Sequence, residues 1–231
     1  MTTQQVLLGI NAGTAVPTAD VLWWKMNDGS GTTITADVGP NGTTDGTWTT
    51  GPGGTGTALS FNGSSQDASS NTTIAYGATA ITVTFWLNLD TTSGTQVILE
   101  SSSNYNSNNN CFILFCDAGT FEAGIQASAG YRAETVTAPS TGTWVHIAAV
   151  YDNNASGGNG DIKLYFNGVE QTLTVALNTK STTGNFASQT LYVMARGASS
   201  LFTSGDMDDL RVYAGELSAA QILAIYNAGA Q

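Results

Sequence analysis

Two side-chain patterns in this sequence could do chemistry: a run of carboxylates near the C-terminus and a set of aromatic residues at outward strand positions. The run Gly205-Asp206-Met207-Asp208-Asp209-Leu210-Arg211-Val212-Tyr213 reads as a final strand that opens on paired carboxylates. Strand alternation over residues 207–213 puts Asp208 with Leu210 and Val212 on one face, and Asp209 with Arg211 and Tyr213 on the other. A carboxylate that shares a face with core residues needs hydrogen bonds or a cation to offset its lost hydration. Glycoside hydrolysis would need two carboxyl groups across the scissile bond, about 5–5.5 Å apart for retention or about 6.5–9.5 Å for inversion. None of Glu100, Glu122, Glu134, Glu170 and Glu216 has an acidic neighbour two residues away, and Asp206 with Asp208, which does, overlaps the cation candidate. The single histidine, His146, lies inside a strand pattern. The chain is expected to be no enzyme.

Sugar binding would instead use rings stacked on the apolar face of a pyranose, with amides and carboxylates reading its hydroxyls. Outward strand positions supply Trp86, Tyr165 and Tyr192, with Lys163 and Arg196 in the same parity. If those strands share one sheet, they form a concave aromatic face. Tyr105, alone in the polar stretch Ser103-Asn104-Tyr105-Asn106-Ser107-Asn108-Asn109-Asn110, is placed as a rim platform. The plainer alternative for each ring is cover by a loop or a neighbouring subunit.

The elements that must position these residues are short alternating runs separated by Gly, Asn, Ser and Thr, the pattern of an all-β sandwich. Residues 81–89 alternate most cleanly, with odd positions inward. Residues 144–151, 162–166, 191–195 and 207–213 complete the secure strands, and Asn167-Gly168 is the favoured type I′ hairpin turn. Residues 111–115 are apolar on both faces and pair with 121–126 across Asp117-Ala118-Gly119-Thr120. One helix is expected over 219–227, ended by Gly229. Ser218 and Gln221 form its capping box, with Leu217 and Ile222 as a hydrophobic staple. Residues 101–110, 153–160 and 178–188 read as long polar loops, where binding tends to sit.

Length and charge narrow the function. The 231 residues fit one large β-domain over 21–231, preceded by an extended arm over 1–20 that carries Gly9, Gly13 and Pro17. Lys plus Arg total 6 against 17 Asp plus Glu, a net charge of −11. Such a chain repels polyanions, which argues against nucleic acid and anionic membranes. The excess carboxylates serve either cation binding or plain solubility. Cys111 and Cys116, five residues apart on an extended strand, point to opposite faces and read as small buried hydrophobes. The N-terminal residues have no basic region and only a short apolar run, unlike a secretory signal, and no stretch approaches the ~20 apolar residues of a membrane span.

Four ordered blocks carry a family likeness. They are Leu22-Trp23-Trp24-Lys25-Met26-Asn27-Asp28-Gly29-Ser30-Gly31; Asp37-Val38-Gly39-Pro40-Asn41-Gly42 with Asp45-Gly46-Thr47; Gly142-Thr143-Trp144-Val145-His146-Ile147 leading to Leu164-Tyr165-Phe166-Asn167-Gly168; and the closing strand and capped helix. With Ala58-Leu59-Ser60-Phe61-Asn62-Gly63 they span residues 22–228 and resemble the laminin-G-like, concanavalin A-like jelly-roll domains. The resemblance implies an antiparallel two-sheet jelly roll, a binding or adhesion role, and Trp24, Trp48 and Trp144 in the core. It also implies a rim calcium ion held by Asp37, Asn41 and Asp208, although Pro40 stands where the family usually has Gly or Ser-Gly. The arm segment Gln4-Gln5-Val6-Leu7-Leu8-Gly9 resembles the N-termini of some phage structural proteins. Together these set the expectation of a lectin-like module made in the cytoplasm and displayed on a virion surface. It would be multimeric in assembly, bind glycans, and be anchored to other virion proteins through residues 1–20. A capsid decoration or fibre protein with no glycan ligand is the alternative.

Overall fold

A computed structural model describes residues 14–154 and 162–231. The proposed anchor over residues 6–10 and most of the loop over 153–160 lie outside the described residues. Among the described residues, eighteen strands and one α-helix follow in chain order. The first nine are β1 (Leu22–Trp24), β2 (Thr33–Ile34), β3 (Ala36–Val38), β4 (Gly42–Thr44), β5 (Thr47–Thr50), β6 (Thr57–Asn62), β7 (Ala68–Ser70), β8 (Ala80–Leu89) and β9 (Thr95–Glu100). Then come β10 (Cys111–Asp117), β11 (Thr120–Gln126), β12 (Tyr131–Thr137), β13 (Val145–Asp152), β14 (Ile162–Phe166), β15 (Val169–Glu170), β16 (Thr174–Asn178), β17 (Tyr192–Val193), β18 (Ser204–Ala214) and helix α1 (Ala219–Ala228).

The strands form two antiparallel sheets. Sheet A runs β15-β14-β13-β8-β18-β1-β3, with β6 and β5 attached beside β18. Sheet B runs β16-β12-β11-β10-β9-β17-β7-β4-β2. The expected two-sheet sandwich with one C-terminal helix is what the chain forms. Its core is the space between the sheets. Ile81, Val83, Phe85, Leu87 and Leu89 of β8 meet Phe112, Leu114 and Cys116 of β10 and Phe121, Ala123 and Ile125 of β11 there. Cys111 faces away from that core, into a second apolar cluster, so the two free cysteines do lie on opposite faces. Two hairpins are set by two-residue turns whose residues both take positive φ, Ala118-Gly119 between β10 and β11 and Asn167-Gly168 between β14 and β15.

Each sheet also has an outward face, and the two are covered differently. On sheet A, helix α1 lies across the outward residues: Ile222 packs on Ala148, Val150 and Tyr165, and Ile225 on Tyr213 and Ala19. The helix begins as expected, with Ser218 and Gln221 making a reciprocal capping box. Residues just before β1 are pinned at the same end, because Asp20 Oδ1 accepts the Ala214 amide at 2.9 Å. On sheet B, the outward face over β9 to β11 is covered by the loop over 101–110 and the turn over 194–203, with Tyr105 and Leu201 packed on Val97 and Ile113.

Three local expectations change. Trp24 is fully buried, but Trp48 is only partly buried and Trp144 is half-exposed at the mouth of β13. The strand expected over 191–195 shortens to two residues, because Met194 turns to positive φ. Most consequential is a β-bulge in β18. Asp208 pairs with Trp86 and Arg211 with Thr84, so Asp209 and Leu210 together stand opposite Phe85. Asp209 takes φ 49° to allow it. The extra residue leaves Leu210 facing the core and turns Asp208 outward, beside Trp86, rather than onto the Leu210 face.

Candidate functional site

The residues expected to form one aromatic face are not brought together. Trp86 and Tyr165 share sheet A, while Tyr192 lies on sheet B between β7 and β9. Trp86 is half-buried between His146 and Tyr226 of α1, with ring centroids 5.5 and 5.8 Å away. Its Nε1 and both His146 ring nitrogens are buried with no hydrogen-bond partner. Burial, and then the charge of Arg211, lowers the His146 pKa to about 3, which keeps the ring neutral. Tyr165 is only 3% exposed, and its hydroxyl donates to Glu170 Oε2 at 2.9 Å. The helix whose staple and cap were legible in the sequence is what closes this face.

The three residues assigned to calcium each already meet protein groups. Asp37 pairs with Lys25 at 2.5 Å. Asn41 Oδ1 accepts the Ala36 amide at 3.0 Å. Asp208 is 3% exposed and packed against the loop at Gly51. Burial and then the neighbouring Asp209 raise its pKa to about 8, so it carries a proton at neutral pH. Among the described residues no three His, Cys, Asp or Glu side chains group closely enough to hold a metal ion. Asp206, on the same outward face, accepts from Asn88 Nδ2 at 3.0 Å.

The open site is on the other sheet. A cavity of about 460 Å³ on the outward face of sheet B is lined by Phe115, Glu122, Gln126, Tyr131, Arg196 and Leu201 among others. Alternation along β11 sends Phe121, Ala123 and Ile125 into the core and leaves Glu122, Gly124 and Gln126 outward. Gly124 is opposite Ala133 and Ile113, at the floor. A Cβ there would come within 2.6 Å of the hydroxyls of both Tyr105 and Tyr131, so glycine is kept for space rather than for backbone freedom. The Tyr131 hydroxyl donates to Glu122 Oε1 at 2.7 Å. Burial, and then that bond, raises its pKa well above the usual phenol range.

Tyr105 does not stand open as a platform. It is 2% exposed, its ring packs edge-on against Tyr131 at 5.2 Å, and it forms part of the cavity wall. Its hydroxyl lies beside that of Tyr131 and has no hydrogen-bond partner among the described residues, and burial raises its pKa well above the usual phenol range. What holds it is Glu100, the last residue of β9 and fully buried. Glu100 accepts the Tyr105 amide and the Ser102 hydroxyl on one oxygen. On the other it accepts Arg196 Nε at 3.0 Å. One carboxylate therefore ties both covering loops to the sheet. Arg196 is 21% exposed and lines the cavity, with only its Nε engaged by protein among the described residues.

Glu100, Glu122, Gln126 and Tyr131 were not singled out from the sequence. One signal was present: a glycine in phase with two polar residues on an otherwise apolar strand marks a place where something approaches closely. The site joins an apolar and aromatic wall (Phe115, Tyr131, Leu201) to separated polar groups (Glu122, Gln126, Asn106, Arg196). That arrangement suits a ligand with one apolar face and an edge of hydroxyls.

Residues 61–223 match the family model of the concanavalin A-like lectin/glucanases superfamily. Among solved structures the chain is similar to the receptor-binding domain of botulinum neurotoxin D, with TM-score 0.63 and 15% identity over 91% of this chain and 52% of that one. It is also similar to the receptor-binding domain of botulinum neurotoxin mosaic serotype C/D, with TM-score 0.64 and 14% identity over 91% and 51%. A third is Trypanosoma rangeli sialidase in complex with 2,3-difluorosialic acid, with TM-score 0.66 and 14% identity over 93% and 34%. The chain thus spans about half of the botulinum chains and about a third of the sialidase chain, and identities this low establish a shared fold. No curated protein matches the sequence.

Proposed function

The chain belongs to the concanavalin A-like lectin/glucanases superfamily, and from that premise we propose that it is a non-catalytic saccharide-binding module whose site is the sheet B cavity. The observation that carries this reading is the convergence of Tyr131, Phe115 and Leu201 with Glu122, Gln126 and Arg196 around one open cavity. A pyranose ring packs its apolar face on the tyrosine and leucine, and its hydroxyls exchange hydrogen bonds with the amide, carboxylate and guanidinium. The non-catalytic reading is supported by the carboxylates present. Glu122 lines the cavity, whereas Glu100 is fully buried and engaged by the two loops.

A place on a virion surface, with residues 1–20 as attachment arm, belongs to the same proposal. A single shallow site binds weakly, and display in many copies would supply avidity. The reading does not require calcium, because the cavity groups recognise hydroxyls directly. Binding is expected to survive chelation.

The test is a broad glycan array probed with the clustered protein, beside Gln126→Ala and Tyr131→Ala. Binding to a restricted set of glycans, weakened at least about tenfold (about 1.4 kcal/mol) by Tyr131→Ala, supports the proposal. Binding untouched by both substitutions would move the site elsewhere. No binding at all would return the chain to the capsid-decoration reading.

A further inference from the structure

We propose that the sheet B cavity selects neutral saccharides against acidic ones, with Glu122 as the residue that excludes a ligand carboxylate; this rests on the saccharide reading of that cavity. The charges around the cavity do not match an anion. Among the described residues Arg196 is its one cationic lining group, and that charge is already met by Glu100, which accepts from Nε at 3.0 Å and is wholly buried beneath the loops. Glu122 remains as a carboxylate in the lining, one oxygen occupied by the Tyr131 hydroxyl at 2.7 Å. A further carboxylate, Asp117, stands close by, accepting from the lining residue Thr95 at 2.6 Å. Glu122 and Arg196 of the lining, taken with the adjacent Glu100 and Asp117, therefore sum to a net negative charge, within a chain whose net charge is −11. A carboxylate brought among these groups meets repulsion in a partly dry site, where screening is weaker than in water.

A neutral sugar meets the same groups favourably. Among the described residues the guanidinium end of Arg196 makes no protein hydrogen bond, so it can donate. Glu122 can only accept. The two are close enough that both act on the Tyr131 hydroxyl, Glu122 raising its pKa and Arg196 lowering it, yet they form no ion pair with each other. A donor and an acceptor held apart over one phenol suit a diol, one hydroxyl accepting from the arginine while its neighbour donates to the glutamate. Glu100 acts as a positioning residue here: it fixes the Arg196 side chain by Nε and so aims its terminal nitrogens.

Matched ligand pairs isolate this effect. Methyl glucoside against methyl glucuronide, and methyl galactoside against methyl galacturonide, differ only in oxidation at C6. Binding is measured by titration calorimetry and ligand-observed NMR on the full chain, with wild type, Glu122→Gln and Tyr131→Ala. Glutamine keeps the acceptor for Tyr131 while removing the charge. The expected result is a neutral member bound at least about tenfold more tightly than its acid, equivalent to about 1.4 kcal/mol, with the gap narrowed to about threefold or less in Glu122→Gln. Affinity for the neutral member should change little between low and high salt. Acid bound as tightly as the neutral sugar, and lost in Tyr131→Ala, would overturn the selectivity while leaving the saccharide reading in place. Binding of both sugars that ignores Tyr131→Ala, or binding of neither, would instead remove the reading and the inference together.

Discussion

On the outward face of sheet A, Arg211 gives Nε to Asp209 Oδ1 at 3.0 Å and Nη2 to Oδ2 at 2.7 Å, and both residues are almost wholly buried. Trp23 donates to the same aspartate at 2.7 Å and holds Arg211 and Lys25 near its ring, at 4.6 and 4.5 Å. On the outward face of sheet B, Arg196 meets Glu100 through Nε alone, and its other nitrogens remain for a ligand. Both faces thus carry an arginine, a buried carboxylate and aromatic rings. The difference lies in the cover. An amphipathic helix offers Ile222 and Ile225 in a continuous stripe and fills its face. A loop of serines and asparagines has few apolar side chains to fill with, and leaves a cavity. A fully matched arginine pair leaves no donor over; a half-matched one leaves donors that a ligand can use.

The strongest way to break that contrast is to remove each carboxylate. Asp209→Ala strands a buried guanidinium and is expected to cost about 3–5 kcal/mol of stability, read from urea unfolding, with saccharide affinity of the folded protein unchanged. Glu100→Ala leaves Arg196 and the Tyr105 amide without their acceptor, costs a similar amount, and also weakens binding at least about tenfold. Equal binding in the two variants would show that Glu100 is architecture as well.

Of similar size is the pH dependence of the closed face. The folded pKa of Asp208 is about 8 against an ordinary 3.8. The native state therefore holds this proton more tightly than the unfolded chain. The resulting stability is complete below pH ~4 and lost as pH rises through 8. Asp67, half-buried beside Asp45, is raised to about 6 and acts in the same direction over the lower part of that range. Asp208→Asn removes the titration at nearly constant volume. It is expected to raise stability at pH 8 by about 5 kcal/mol relative to wild type, at about 1.4 kcal/mol per pH unit above 4, with the gain shrinking toward pH 4. A gain that stays constant with pH would mean that Asp208 is not protonated in the native state.

The same strand shows how far the sequence could be read. The alternation of β8, the β10–β11 hairpin, the Asn167-Gly168 turn and the Ser218–Gln221 cap are local patterns, and each was legible. The face of Asp208 was not, because one inserted residue shifts every side chain before it, and a bulge leaves no period to detect. Tyr192 was misplaced because sheet membership is decided by distant pairing with β7 and β9 rather than by parity within its own strand. Trp86 and Tyr165 did point away from the core as their spacing required. What spacing could not say is that α1, more than fifty residues beyond Tyr165, returns to cover them. Glu100 was passed over because it has no acidic neighbour two residues away, and only the folded loops show that it is dry.

The smallest expected effect sharpens the contrast most cleanly, because it touches only the cover of sheet A. Ser218 Oγ accepts the Gln221 amide at 3.3 Å, and Gln221 Oε1 accepts the Ser218 amide at 2.9 Å. Ser218→Ala deletes the first of these and should cost about 1 kcal/mol. Hydrogen exchange should quicken at the first-turn amides of α1, which carry Ile222 over Tyr165, while the amides of β10 and β11 keep their protection. Saccharide affinity should stay within about twofold of wild type. A larger fall in affinity would mean that loosening one face reaches the other through the core of β8 and β10, and that the cavity on sheet B is held open by the closure of sheet A.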